Sequence, residues 1–173
     1  MKHQCSKDYF YGTDDQLENI IQMIEEGYAS TLQSLLVNSN CLTEGQQIVF
    51  RMFWLFQHLR TEAAAKQSVL LAESIRDFVD LESDEPLFTI KDAVQNACHT
   101  FAHNMHLIDD LKFCLFKNKT DAPFITSDNP AIITNKWHLE KKATVSRSFG
   151  LGSAGILAIL PLTPRLLLLG YDG

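Results

Sequence analysis

Apolar positions recur at helical spacing through the first two-thirds of the chain and gather into strand-like runs after it. Asp15 with Glu18 three residues on resembles a capping box. Beyond it Leu17, Ile20, Ile21, Ile24, Tyr28, Leu32 and Leu35 keep a period near about 3.6 residues. This predicts a first helix that ends near Val37, ahead of the turn cluster Asn38, Ser39 and Asn40. Thr43 and Gln46 form a second capping box. The helix after it carries Val49, Met52, Phe53, Phe56 and Ala63 on one stripe. It runs on, with or without a break, through Ala63, Ala64 and Ala65 to about Val79, and Glu62 and Lys66 stand at the favourable i,i+4 spacing. Residues 82–86 read as a loop. Thr89 opens a further helix bearing Val94, Ala97, Cys98, Phe101, Met105 and Ile108.

Near Leu111 the pattern changes. Residues 112–116 alternate in part, and 123–127 and 131–134 are short β-prone runs around a polar turn. Residues 156–160 and 166–170 are unbroken apolar runs, as in strands buried on both faces. Between them Pro161, Leu162, Thr163 and Pro164 force extended or turn geometry. The predicted fold is α+β, with a helix-rich N-terminal two-thirds packed on a small C-terminal β-sheet. Helices occupy 15–110, strands and loops 111–173, and the 173 residues form one domain with a shared core.

Composition narrows the class. Fifteen basic against 21 acidic residues give a net charge of −6. A surface that grips nucleic acid or an anionic membrane along its whole extent is therefore not expected, although a local basic groove is compatible with it. The four cysteines, Cys5, Cys41, Cys98 and Cys114, form no CxxC pair and are too sparse for a disulfide scaffold. A reducing cytoplasm is the simplest setting. The first residues carry no apolar core of a signal peptide. The longest apolar stretch, 156–169, is interrupted by Pro161, Thr163, Pro164 and Arg165, so no membrane span is expected.

Candidate chemistry begins with Arg60. Placed at about 100° per residue, it falls about 40° from Phe56, inside the apolar stripe of its helix. A guanidinium there must snorkel, pair with a carboxylate or receive an anion, because an isolated buried charge is costly. Glu25 and Asp128 are the candidate partners, and Gln57 flanks the same stripe one turn earlier. In Phe124-Ile125-Thr126-Ser127-Asp128-Asn129-Pro130, short polar side chains sit between apolar runs. They read as turn chemistry, or as Ser127, Asp128 and Asn129 presented at a strand end towards a cleft. His99, His103, His106 and Asp110 share a helix face about 60° wide. This is a solvated polar face, or ligands for a metal completed from elsewhere. Gly150-Leu151-Gly152-Ser153-Ala154-Gly155 spells GxGxxG, but a strand follows it and no helix, so it reads as a loop. Cys98 and Cys114 sit in apolar patterns and read as buried thiols.

The order of these pieces resembles a known family. Asp8-Tyr9-Phe10-Tyr11 with the following acidic helix, then Gln57-His58-Leu59-Arg60-Thr61, then the Thr126-Ser127-Asp128-Asn129-Pro130 word, then Leu160-Pro161-Leu162-Thr163-Pro164, are similar to motifs of the bacterial and phage-borne domain-of-unknown-function family 4238. The resemblance covers nearly the whole chain and implies that Glu25, Gln57, Arg60 and Asp128 occupy motif positions of one polar cluster. It carries no settled activity. Relatives are expected to begin with an additional His- and Pro-containing segment. Their Arg-Thr-Pro-like word is Arg60-Thr61-Glu62 here, and a Trp before the sheet is Phe113.

Two functions follow as expectations. In the first, the protein is a hydrolase of a phosphate-bearing substrate, a nucleotide or nucleic acid. Arg60, Asp128 and Glu25 are then catalytic, and Gln57, Ser127 and Asn129 hold the substrate. In the second, it is a non-catalytic interaction or accessory protein with a structural Arg–carboxylate cluster. No metal set is assigned, the cofactor and partners are unspecified, there is no strong nucleic-acid signature, and an oligomer is compatible with the sequence.

Overall fold

A computed structural model describes residues 15–37, 41–79, 89–141 and 150–172. The 8–11 word, the 38–40 turn and the 82–86 loop lie outside the described residues, as do the side chains of Asp15, Glu18, Glu62, Ala63 and Val94. The elements are α1 (Asp15–Val37), α2 (Glu44–Arg60), α3 (Glu62–Val79) and α4 (Ile90–Asn104), then a 3₁₀ turn (Met105–Ile108). The strands β1 (Leu111–Lys117) and β2 (Ile132–Asn135), a short helix α5 (Lys136–Lys141), and the strands β3 (Ile156–Thr163) and β4 (Leu166–Asp172) follow. The four strands form one antiparallel sheet in the order β1-β4-β3-β2. The fold is α+β, helices first and sheet after.

Helix starts follow local chemistry. Thr43 accepts from the Gln46 amide while Gln46 Oε1 accepts from the Thr43 amide, at 3.3 and 2.9 Å. Thr89 and Asp92 repeat the arrangement at α4. Two orphan amides are satisfied in each case. The helix beginning at Glu44 does break, at Thr61, whose extended backbone (φ −69°, ψ 151°) ends α2.

The centre of the molecule is α2. Its stripe predicted a one-sided helix, yet Phe50, Phe53, Trp54, Leu55 and Phe56 are all buried. Those positions point in several directions around the axis, and α1, α3, α4 and β1 supply neighbours on different sides. A helix apolar over most of its girth belongs inside a core. On α1 the buried face is Ile21 and Leu35, with Ile24 and Tyr28 packed beside them, whereas Ile20 turns outward. The Tyr28 ring stacks on Phe53 (centroids 3.5 Å apart, 4° between planes) and meets Phe50 edge-on at 5.9 Å.

The sheet completes this core. Leu111, Phe113, Ile156, Ala158, Leu160 and Leu168 join Leu35, Phe50, Trp54 and Leu55 in one buried cluster. Cross-strand neighbours Phe113, Gly170 and Ala158 share a row on that face. The unbroken apolar runs predicted strands buried on both faces; instead β3 and β4 alternate buried with half-buried positions. Their second face has no place in the buried cluster.

Three further expectations need correction. Residues 123–127 are extended but pair with no strand, because Phe124 alone donates a backbone bond, to the Pro164 carbonyl at 2.9 Å, and Pro123 has no amide to donate. Helix α5 was not anticipated; it follows a β2 that ends at Asn135, whose Oδ1 accepts from the Trp137 amide. The α4 helix stops at Asn104 and tightens into the 3₁₀ turn, so His106 and Asp110 are not on the helix that carries His99 and His103. The GxGxxG segment is a turn that leads into β3, as expected. Among the described residues no helix is long and apolar enough to cross a membrane.

Candidate functional site

Three segments far apart in sequence converge at the C-terminal end of α2. Glu25 comes from α1, the word Gln57 to Thr61 closes α2, and the 127–131 turn arrives from ahead of β2.

Arg60 lies where the helical geometry placed it and finds one of its two candidate partners. Its Nη2 is 2.7 Å from Glu25 Oε1, with side-chain exposures of 18% and 46%. Its Nε donates to Gln57 Oε1 at 3.3 Å. The guanidinium carbon stands 4.7 Å from the centre of the Phe56 ring, in cation–π range. Phe56 in turn meets Phe101 of α4 edge-on at 5.5 Å. Burial pushes the nearby Cys98 thiol up, with the Arg60 charge acting in the opposite sense, so Cys98 stays a thiol. Burial raises Cys114 as well.

The other candidate partner stays apart. Asp128 is exposed and makes no hydrogen bond or ion pair among the described residues. The side chains around it are occupied. Ser127 Oγ donates to the Asn129 carbonyl at 3.1 Å and accepts from the Asn129 amide at 3.2 Å. Asn129 Oδ1 accepts from Thr61 Oγ1 at 3.2 Å. Ser127 and Asn129 therefore build the turn, and Asp128 is the side chain the turn leaves outward.

Thr61 and His58 stand inside the Gln57-to-Thr61 word but had no assigned role. Thr61 is buried. Its hydroxyl accepts from the Ala64 amide at 3.2 Å, capping α3, while it donates to Asn129. His58 stacks on Trp54 (5.3 Å, 4°), and its Nδ1 lies 3.3 Å from the Ala131 carbonyl. A carbonyl can only accept, so Nδ1 carries the proton. Two contacts thus bind the end of α2 to the 127–131 turn. Their sequence signal was the run of polar residues next to Arg60 and Asp128.

Burial lowers the His58 pKa below the ordinary 6.5, the bond to Ala131 acting more weakly in the opposite sense. Below that ordinary value the unfolded chain takes up a proton more readily than the folded one. The His58 contribution is therefore complete above it and is lost as pH falls through it. Urea unfolding at about pH 5 is expected to show a lower midpoint than at about pH 7.5, and His58→Phe should flatten that difference.

The histidine stripe forms no chelate. His99 and His103 stack at 4.0 Å and are exposed; His103 Nδ1 meets the His99 carbonyl, and His106 Nδ1 the His103 carbonyl. Among the described residues no group of three or more His, Cys, Asp or Glu side chains is placed to hold a metal ion.

The fold and this junction define an α+β protein in which polar side chains from α1, α2 and the 127–131 turn lie around the end of α2. The chain belongs to the family described as "Protein of unknown function (DUF4238)", whose model matches residues 1–173. No curated protein and no solved structure matches it.

Proposed function

We propose that the protein is a cytoplasmic hydrolase of a phosphate-bearing substrate, a nucleotide or nucleic acid, with the end of α2 as its site. The observation that carries this reading is the Thr61–Asn129 hydrogen bond. It ties the turn that carries the exposed Asp128 to Thr61, the residue after Arg60. An incoming phosphate offers Arg60 paired oxygens in place of the half-exposed Glu25 carboxylate. Asp128 then serves as general base towards water. Glu25 becomes the counter-ion that holds Arg60 ready, and Gln57 orients the guanidinium. Ser127 and Asn129 position Asp128 and leave substrate contact to others. The free thiols Cys41, Cys98 and Cys114 fit a reducing compartment.

The test uses the purified chain with a mixed nucleotide pool and a mixed single-stranded oligonucleotide pool, reading phosphate release and strand shortening. Asp128→Asn is expected to lower turnover by about 10²–10⁴-fold. Because Asp128 is exposed and unbonded, its melting temperature should stay within about 2 °C of the parent. Full turnover by Asp128→Asn, or none by the parent, sinks the reading.

The 2.7 Å bridge to Glu25 favours a second reading, a non-catalytic interaction protein in which Arg60 clamps α1 to α2. On that reading Arg60→Ala lowers the melting temperature and Asp128→Asn changes nothing measurable.

A further inference from the structure

Residues of α1 and α2 pack on one face of the sheet. Across the middle of the opposite face Cys114, Leu169, Ile159 and Ile132 stand side by side, one from each strand. Phe116 and Leu167 form the next row. Phe116 and Ile132 are each 49% exposed, and the other four are half-buried. None of the six belongs to the buried cluster. Among the strand positions of this face Lys112, at one corner, is the sole charged side chain.

We propose that this face is a homodimer interface, on which a second copy of the chain packs sheet against sheet. Three observations select that occupant. The first is area. Strands about 4.8 Å apart, rising about 3.3 Å per residue, give a face of roughly 15 by 20 Å. With the relief of its side chains it buries about 500–600 Å² per copy, and about 1,000–1,200 Å² for a pair is the lower end of specific interfaces. The second is composition. A face with one charge at its corner is more apolar than the surfaces transient partners use, and resembles the interfaces of homodimers. Two-fold dimers are the commonest assemblies of identical soluble chains, and a two-fold interface uses the same patch on both copies. The third is the state of the edges. The outer strand β1 carries exposed Lys112 and Lys117, and the outer strand β2 has only four residues. Both features blunt edge-to-edge pairing, so the sheet does not extend sideways into a partner. Packing across the face, at the usual separation of about 10 Å between sheets, leaves both edges in water.

The test is sedimentation of the full chain from about 1 to 200 µM, a span that brackets an interface of this size. A reversible dimer of twice the 19.6 kDa monomer mass is expected. In Phe116→Lys/Ile132→Lys, which alters the two most exposed positions, dissociation should strengthen by at least about 100-fold while the circular dichroism spectrum is unchanged. A control, Leu71→Lys on the exposed side of α3, where Leu70, Leu71, Ile75 and Phe78 are also uncovered, should dimerise like the parent. Maleimide labelling of Cys114, followed by peptide mass spectrometry on the unaltered chain, gives a readout free of any folding defect in the variants. Labelling should slow as protein concentration rises. A monomer at the highest concentration overturns the proposal, whatever else covers the face. So does a dimer abolished by the α3 control, or Cys114 labelling that ignores concentration while a dimer forms.

Discussion

Trp54→Ala is expected to cost about 3–5 kcal/mol and to lower the melting temperature by about 10 °C or more. This side chain joins α2 to the sheet. Trp54 is completely buried in the middle of α2. Its indole N–H crosses to the sheet and donates to the Ile159 carbonyl at 3.2 Å. Its ring is the platform on which His58 lies. Truncation opens a cavity that the crowded surroundings can only partly close, and it leaves a carbonyl of β3 without its donor. Trp54→Phe separates the two contributions. It keeps most of the volume and loses the hydrogen bond, so about 1–3 kcal/mol is expected. Urea titrations of both variants measure the difference. If Trp54→Ala unfolds at the parent midpoint, α2 is not the centre of the core.

The second large effect belongs to Gly170. A Cβ there would lie 2.7 Å from Phe113 Cζ, 2.8 Å from Phe113 Cε1 and 3.1 Å from the Ala158 Cβ. The Phe113 ring lies across the glycine and is itself buried, with little room to turn aside. The sheet therefore needs hydrogen at this position for packing, not for an unusual backbone angle. Gly170→Ala is expected to cost about 1–3 kcal/mol, and Gly170→Val more, because branching adds methyls to the same gap. Phe113→Leu should rescue part of the loss in Gly170→Ala. A neutral Gly170→Ala, measured by thermal denaturation, would falsify this account of the row.

What could be read from the sequence was what depends on near neighbours. The Thr43–Gln46 box, the start at Thr89, and the strands around 112–116, 156–160 and 166–170 all rest on local pattern, and each is present. The side-by-side burial of Trp54 and Leu55 was not legible, because it depends on which elements surround α2. Residues 123–127 have strand composition but no strand beside them to complete a ladder. Six-residue α5 lacks the length for a periodic signal. At the site, the position of Arg60 within an apolar stripe did require a partner, and Glu25 is that partner. The bonds that bring the turn to the helix, Thr61 to Asn129 and His58 to Ala131, span 68 and 73 residues. Spacing carries no record of contacts at that range.

The order β1-β4-β3-β2 sets a timetable for assembly. The strand that separates β1 from β3 is β4, the latest of the four along the chain. β1 lies against it alone, pairing Cys114 with Leu169 across 55 residues. As the chain leaves the ribosome, β2 and β3 can meet as neighbours while β1 waits with both edges unpaired. Such distant pairing carries a large loop-closure cost before any contact rewards it. Synthesis of 166–172 is thus the event that joins β1 to the rest of the sheet, and a nascent chain halted before it lacks the Gly170 row on which Phe113 lies.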